Sequence, residues 1–496
     1  MASGWFFWQA DEDIVFLTVK KIVVDHRLQL LGFGVPGGLF FGPALYYLTS
    51  IFSLIAGMNP EIFSVQTALI GVFTTLLVYK IGSLIFEEAS VGLLAATFYA
   101  FSNLIIDYSK VFTALAFAPM LSLFVYGIVY SNLKAKKPKY LVWLGLVLTF
   151  SLQNEGSSFS LVLLAIFVWI FYRFFVPFRK LLQILLIFFI FQIPLVLYEL
   201  QNNFFLTKSS LLFFLKRETI LKATSSSDYS NIQGLINLLQ IFPQTISRIL
   251  FISGEKNVTN QILSCPNLVA ERYSAISLFA FIIAIVILGF FLMQSLFFKK
   301  SVLGTKIVSM HLLAMIVGML IYSLFYPNHT NEWTTVIFFP GFCFIIAFFL
   351  YHFSKVGKLP KFLVILFVAA FVIFNLNTFF NTTENYGLSS KIKAVRFAIS
   401  YVRDKPFYLE SIGTCHKHGY LYLFWFLGKL PDQTYGTGAQ FAPELIPEGS
   451  KIKPNLGVVM VHDLDKGIYE KYLSYKKKAV KNQEFDGVEV LIVEDK

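Results

Sequence analysis

The sequence predicts a polytopic α-helical membrane protein that ends in a small α/β domain, and three observations predict it. Of the 496 residues, 56% are hydrophobic and only 14% are charged, against roughly 25% charged in an average soluble protein. Continuous apolar runs recur through the first 380 positions, near the length of about 20 residues that crosses a bilayer. From position 381 onward, basic helical segments alternate with short β-branched runs. A transmembrane β-barrel is excluded, because its strands alternate polar with apolar and build no continuous runs.

The elements follow in chain order. "ADEDIVFLTVKKIVV" begins with Asp11, Glu12 and Asp13 and reads as a helix whose carboxylates complement the positive end of its dipole. "GFGVPGG" at 32–38 has no flanking strand and helix to make a phosphate-cradling turn, and no GxxxxGK[ST], HExxH or CxxC pattern occurs. The run 39–57, "LFFGPALYYLTSIFSLIAG", carries Gly42, Pro43, Tyr46, Tyr47, Thr49 and Ser50, and admits two readings: an interfacial helix or a true span. Spans are expected at 63–85, 89–107, 111–131, 140–154, 157–175, 181–199, 272–297, 305–326, 334–353 and 361–380, with 140–154 short and interrupted. The segment 200–271 alternates apolar patches with Lys, Arg and Ser, as interfacial helices in a large loop do. In the tail, "SSKIKAVRFAISYVRDK" has helical period and a Ser cap, "GVVMVHDLD" and "GVEVLIVED" read as buried strands, and "KGIYEKYLSYKKKA" reads as a helix. Three units result: 1–62, a first external loop; 63–380, the membrane core; and 381–496, a soluble α/β domain.

The net charge of +12 concentrates in short connections, so it needs no nucleic-acid partner. Lys134, Lys136, Lys137 and Lys139 form one basic loop, and Arg173, Arg179 and Lys180 another. Lys299, Lys300 and Lys306 make a third, and Lys355, Lys358 and Lys361 a fourth. With these spans all four share one face, which the positive-inside rule makes cytoplasmic; Glu87 and Glu88 on that face are the exception. If 39–57 lies flat, Asp11–Asp13 is external and a helix preceding Asp11 is expected to bring it there. If 39–57 spans, the acidic run is cytoplasmic.

Several polar groups then fall at the external ends of spans: Asp107 and Lys110, Glu155, Glu199 and Lys208, and His329 in "YPNHTNEW". Taken singly, each is a helix cap or interface anchor. Together they suit an outward-facing site with cations for a lipid-linked phosphate. Cys343 reads as a core residue, while Cys265 and Cys415 both lie in external segments, where a disulfide is chemically permitted. "CHKH" at 415–418 supplies three candidate ligands without a fourth, too few for a closed metal site.

The order of these stretches resembles the integral-membrane GT-C glycosyltransferases. The likeness is strongest to the branch of dolichyl-phosphate-mannose–protein mannosyltransferases and bacterial aminoarabinose transferases. It rests on "ADEDIVFLTVKKI" with "GPALYYLTSIF", then "LLVYKIGSLIF", "GLLAATFYAFSNLIIDYSK" and "NHTNEWTTVIFFPGF", over roughly 10–353. The resemblance implies a GT-C-like α-helical polytopic membrane protein, with about ten visible spans and 39–57 as an interfacial helix. It implies that Asp11 deprotonates an acceptor hydroxyl, with Glu12 as the second residue of the motif and Asp13 spare and solvated. The donor would be a polyprenyl-phosphate-linked sugar, transferred with inversion. The acceptor would be a glycan, lipid or protein at the outer face of a prokaryotic plasma membrane, among membrane lipids. Lys110 and Lys208, with His329 nearby, are the candidates for donor phosphate, and Asp107, Glu155 and Glu199 for substrate. A divalent Mg or Mn ion is compatible with the family, although "SKVFTALAFAPML" lacks the acidic residue that many members carry after the Ser-Lys pair. A transporter or flippase is the competing class; it predicts ionisable groups near mid-span. A non-catalytic envelope scaffold is a third.

Overall fold

The computed structural model describes residues 8, 10–35, 39–111, 114–136, 139–173, 176–215, 231–251, 275–297, 302–325, 332–381, 387–413, 418–435, 454–462, 464 and 466–494. Cys265, Cys415 and the first three residues of "CHKH" lie outside them. Each of the ten expected spans is occupied by helix. Seven helices are long and apolar enough to cross a membrane: Pro60–Phe86, Leu115–Ala135, Phe178–Gln201, Leu278–Phe297, Leu303–Ser323, Glu332–Lys355 and Lys358–Asn381. Ala89–Phe101 and Asn103–Ser109, bent by 66° at Ser102, pass the same test as a pair, with the geometry of a broken span or a re-entrant loop. Leu141–Leu152 and Phe159–Tyr172 are shorter apolar helices joined by the 3-10 turn Gly156–Ser158. These two occur as a pair, so the sidedness of every later loop is the same whether they cross or only enter the bilayer.

Local sequence explains the starts and contacts of these helices. Pro60–Phe86 begins where Asn59 accepts the Glu61 N–H at 2.9 Å with Pro60 in the first turn. It packs on Ala89–Phe101 so closely that a Cβ on Gly92 would stand 2.6 Å from the Tyr79 carbonyl oxygen, a contact only glycine allows. The centre of the bundle is Phe339–Lys355, eleven of whose residues are buried. Phe178–Gln201, with none buried, lies at the edge.

Polar ties mark the two ends of the bundle. At one end Glu87 accepts from Lys134 (2.9 Å) and Tyr130 (2.8 Å), and Glu88 accepts from Tyr351 (2.8 Å). The two carboxylates that broke the basic pattern are therefore partners of that same face. At the other end Asn103 bonds Asn375 twice, both at 3.2 Å. The described ionisable groups cluster near helix ends, with His311 the interior exception. Its Nδ1 meets the Tyr126 hydroxyl at 2.6 Å and its Nε2 the Ser160 hydroxyl at 3.2 Å.

Helix Ala44–Ala56 has 13 residues, about 20 Å at 1.5 Å per residue and short of the roughly 30 Å hydrocarbon core. It buries Tyr46, Thr49, Ser50 and Ser53 against protein and exposes Leu48, Ile51, Leu54 and Ile55. That arrangement suits a helix lying on a bilayer with its apolar face outward.

The tail forms a five-stranded sheet. Its strands are β3 (Phe407–Ile412), β4 (Gln433–Tyr435), β5 (Leu456–Val461), β6 (Ala479–Phe485) and β7 (Val488–Glu494), in spatial order β4-β3-β5-β7-β6. β3 is parallel to β4 and β5, while β7 is antiparallel to β5 and to β6. β3 and β5 are buried throughout, because helices cover both faces. Leu409, Val458 and Ile492 face helix Leu388–Val402; Tyr408, Val459 and Leu491 face helix Lys466–Lys478. Helix Leu388–Val402 is preceded by Gly387 with no side-chain cap, so the expected Ser cap is corrected; Ser390 lies inside the helix and bonds Asp486 at 3.1 Å. The face bearing Leu409 continues into the first loop: Trp8, Phe16, Val19, Tyr46 and Phe63 belong to the same apolar cluster.

Candidate functional site

Helix Ala10–Val23 begins with three carboxylates and ends with Lys20 and Lys21, each charge complementing the nearer pole of the helix dipole. Consecutive helical residues point about 100° apart, so three successive side chains cannot share one environment. Glu12 goes fully inward, beside Val15, Phe16 and Val19. Asp13 is also buried, and its carboxylate accepts the N–H groups of Leu421 (3.1 Å) and Tyr422 (2.8 Å) at the start of helix Leu421–Phe426. Burial pushes its carboxyl up to about 7, opposed by those two N–H groups and by the Lys391 charge. The expectation of a spare, solvated Asp13 is therefore corrected: it fastens the first loop to the C-terminal domain.

Asp11 is the carboxylate left open. It keeps exposed surface, yet protein surrounds it densely enough that burial lifts its carboxyl to about 6. Asp11 thus meets solvent on one side and protein on the other.

Glu155 stands across from it electrostatically. It occupies an extended position (φ −152°, ψ 134°) before the turn Gly156–Ser158 and accepts backbone N–H groups of Gly156 and Ser157. Burial raises its carboxyl to about 7, with the Asp11 charge adding to the rise. Two carboxylates 144 positions apart in "ADED" and "QNEG" thus titrate as neighbours. The antiparallel pair β1 (Gly34–Val35) and β2 (Leu39–Phe40) leads into Phe41 and Gly42, which lie against Gly156 and Gln153 on either side of Glu155. A Cβ on Gly42 would lie 1.3 Å from the Gln153 Oε1, so any side chain there would force the Gln153 amide to move. Gln153 in turn donates to the Phe191 carbonyl at 3.2 Å, tying the loop to helix Phe178–Gln201. Around Glu155, the buried oxygens of Ser151, Asn154, Ser157 and Ser158 have no protein hydrogen-bond partner among the described residues.

The other sequence-predicted residues separate. Lys110 pairs with Asp107 at 2.8 Å at the end of helix Asn103–Ser109. Tyr108 lies between them and a second pair, Arg248 with Glu332 at 2.5 Å. Beside Tyr108 is a small recess lined by Thr67, Tyr99, Ser109, Pro119 and Phe339. Glu199 accepts the Leu206 N–H (2.6 Å), the Thr207 N–H (3.0 Å) and the Thr207 hydroxyl, so it caps helix Phe205–Leu215. Lys208 is exposed on that helix. His329 lies outside the described residues. Arg248 was missed from sequence because it is one basic residue in an amphipathic loop helix; its signal is tertiary, the buried carboxylate it meets.

No protein-family model and no curated protein matches the chain. Among solved structures, ArnT from Cupriavidus metallidurans in the apo state aligns with a TM-score of 0.54 at 9% identity, over 99% of this chain and 95% of that one. ArnT bound to undecaprenyl phosphate aligns with a TM-score of 0.48 at 14% identity, over 99% and 95%. The archaeal oligosaccharyltransferase AglB from Archaeoglobus fulgidus, in complex with an inhibitory peptide and a dolichol-phosphate, aligns with a TM-score of 0.49 at 11% identity, over 92% and 66%. Aligned over 99% of its length on ArnT in the apo state, this helical chain with its terminal α/β domain has the GT-C fold.

Proposed function

We propose that the protein is a membrane glycosyltransferase that moves a monosaccharide from a polyprenyl-phosphate-linked donor to an acceptor hydroxyl outside the cytoplasm, with inversion. The observation that carries this proposal is Asp11, a solvent-exposed carboxylate within electrostatic reach of Glu155 and with its pKa raised to about 6. Such a group is still largely ionised at neutral pH and is a stronger base than an ordinary carboxylate. Asp11 takes the acceptor hydroxyl proton as that oxygen bonds to the anomeric carbon. The bond from that carbon to the phosphate oxygen breaks, and its electron pair leaves with the polyprenyl phosphate. Cations at the same end of the bundle, Lys110, Arg248 and Lys208, answer the charge of the leaving group. The buried oxygens of Ser151, Asn154, Ser157 and Ser158 suit a polyhydroxylated ring, since a buried polar group left unpaired costs about 1–3 kcal/mol. The fold supports this assignment, because ArnT is an aminoarabinose transferase. A resident divalent metal fits poorly: among the described residues no three His, Cys, Asp or Glu side chains converge.

The test is transfer from radiolabelled polyprenyl-phosphate sugars by purified protein in lipid nanodiscs. Asp11→Asn is expected to lower kcat by about 10²–10⁴-fold, the usual worth of a positioned base, with expression unchanged. Near-normal transfer by this variant would remove Asp11 from the role.

A further inference from the structure

Asp11 sits on a short stretch of chain fastened on both sides by residues nearly 400 positions away. On its N-terminal side the Trp8 indole N–H donates to the Gly419 carbonyl at 2.7 Å. The Lys391 ammonium donates to the Trp8 carbonyl at 2.7 Å and to the His418 carbonyl at 2.5 Å. On its C-terminal side Asp13 accepts from the Leu421 and Tyr422 N–H groups. Positions 8 and 13 are thus both tied to the 418–422 turn, and Asp11 is carried between them. Trp8 and Lys391 are each 0% exposed, and the Trp8 ring stacks on Phe16 at 5.1 Å.

A fully buried lysine is costly unless its ammonium is matched. Here two carbonyls accept from it, the Tyr420 ring stands 5.1 Å from Nζ, and Glu12 and Asp13 lie within electrostatic reach. Lys391 falls in the apolar stripe of its helix, with Leu388, Ile392, Val395, Ala398 and Val402. An aliphatic residue there would pack the domain on its sheet; what the lysine adds is the bond to the first loop.

We propose that Lys391 is a positioning residue for Asp11, through which the C-terminal domain holds the base at the depth and angle where it meets the acceptor hydroxyl. This rests on the assignment of Asp11 as the base, and the test separates the two. Lys391→Met keeps the aliphatic stem and loses the donor. Trp8→Phe keeps a stacking ring and loses the indole N–H, leaving the lysine in place. Both are compared with wild type and Asp11→Asn, as full-length protein in nanodiscs, for transfer from polyprenyl-phosphate sugars and for amide hydrogen exchange. Each latch variant is expected to keep its donor KM within about twofold and to lose about tenfold or more in kcat, since ångström-scale misplacement costs up to about 10²-fold. Amides of 10–23 should exchange faster while β3, β5 and β7 keep their protection. If the sheet itself loses protection in Lys391→Met, the kcat and exchange of Trp8→Phe decide between the outcomes. Faster exchange with unchanged kcat, or a raised KM with unchanged kcat, overturns the proposal. Full activity in Asp11→Asn overturns the base assignment instead, and that failure appears in that variant alone.

Discussion

At the scale of single residues, the acidic run shows how one helix turn gives three carboxylates three environments. Asp11 faces solvent, Glu12 the core, and Asp13 the C-terminal domain. On the proposed role of Asp11, only its deprotonated form is active, and its pKa is raised to about 6. Log kcat/KM is therefore expected to climb with pH below about 6 and to level above it, about two units later than an ordinary carboxylate would give. Glu155 near 7 adds a second ionisation, so the Glu155→Gln profile should reduce to the single step of Asp11; two steps persisting in that variant would place the second group elsewhere. The sequence marked Asp11 and Glu155 as external polar residues, but their pairing joins two loops and has no local signature. Lys391 did leave a trace, as a lysine within a 3,4-spaced apolar stripe.

At the scale of elements, breaks in regular structure place the site. The 66° bend at Ser102 turns Asn103–Ser109 across the bundle end, where Asn103 meets Asn375 and Asp107 meets Lys110. Beside Glu155, Gly42 lies against Gln153. Gly42→Ala is expected to cost about 1–3 kcal/mol by overpacking, read as a lower Tm, and Gly42→Ala with Gln153→Ala should recover most of it. A single variant as stable as wild type would show that the loop adapts. Helix Ala44–Ala56 was ambiguous in sequence because an apolar run of 19 residues, 39–57, satisfies both a span and an interface helix. The paired strand at its start and the glycine at its end reduce it to 13 helical residues.

At the scale of the whole molecule, the Lys134–Glu87 and Tyr351–Glu88 ties mark one end of the bundle and the Asn103–Asn375 tie the other, with the α/β domain packed onto the acidic helix through one shared apolar cluster. We expect the basic end to be cytoplasmic and the site external. A cysteine at Lys136 should react with a membrane-impermeant maleimide only from the cytoplasmic side, and one at Lys481 only from outside. Labelling of both from one side would refute the topology.

The sequence by itself determined the class of protein, the ten apolar helices and the α/β character of the tail. All of these follow from composition and from periods of 3.6 and 2 within single segments. The tertiary structure decided which carboxylate stays exposed, that Glu155 lies within its electrostatic reach, that Asp13 is a fastening, and that Arg248 and Lys391 find their partners across the chain. Those outcomes depend on desolvation and on bonds between segments up to 411 positions apart. A local pattern records the side a residue lies on, whereas burial and partners are properties of the packed chain.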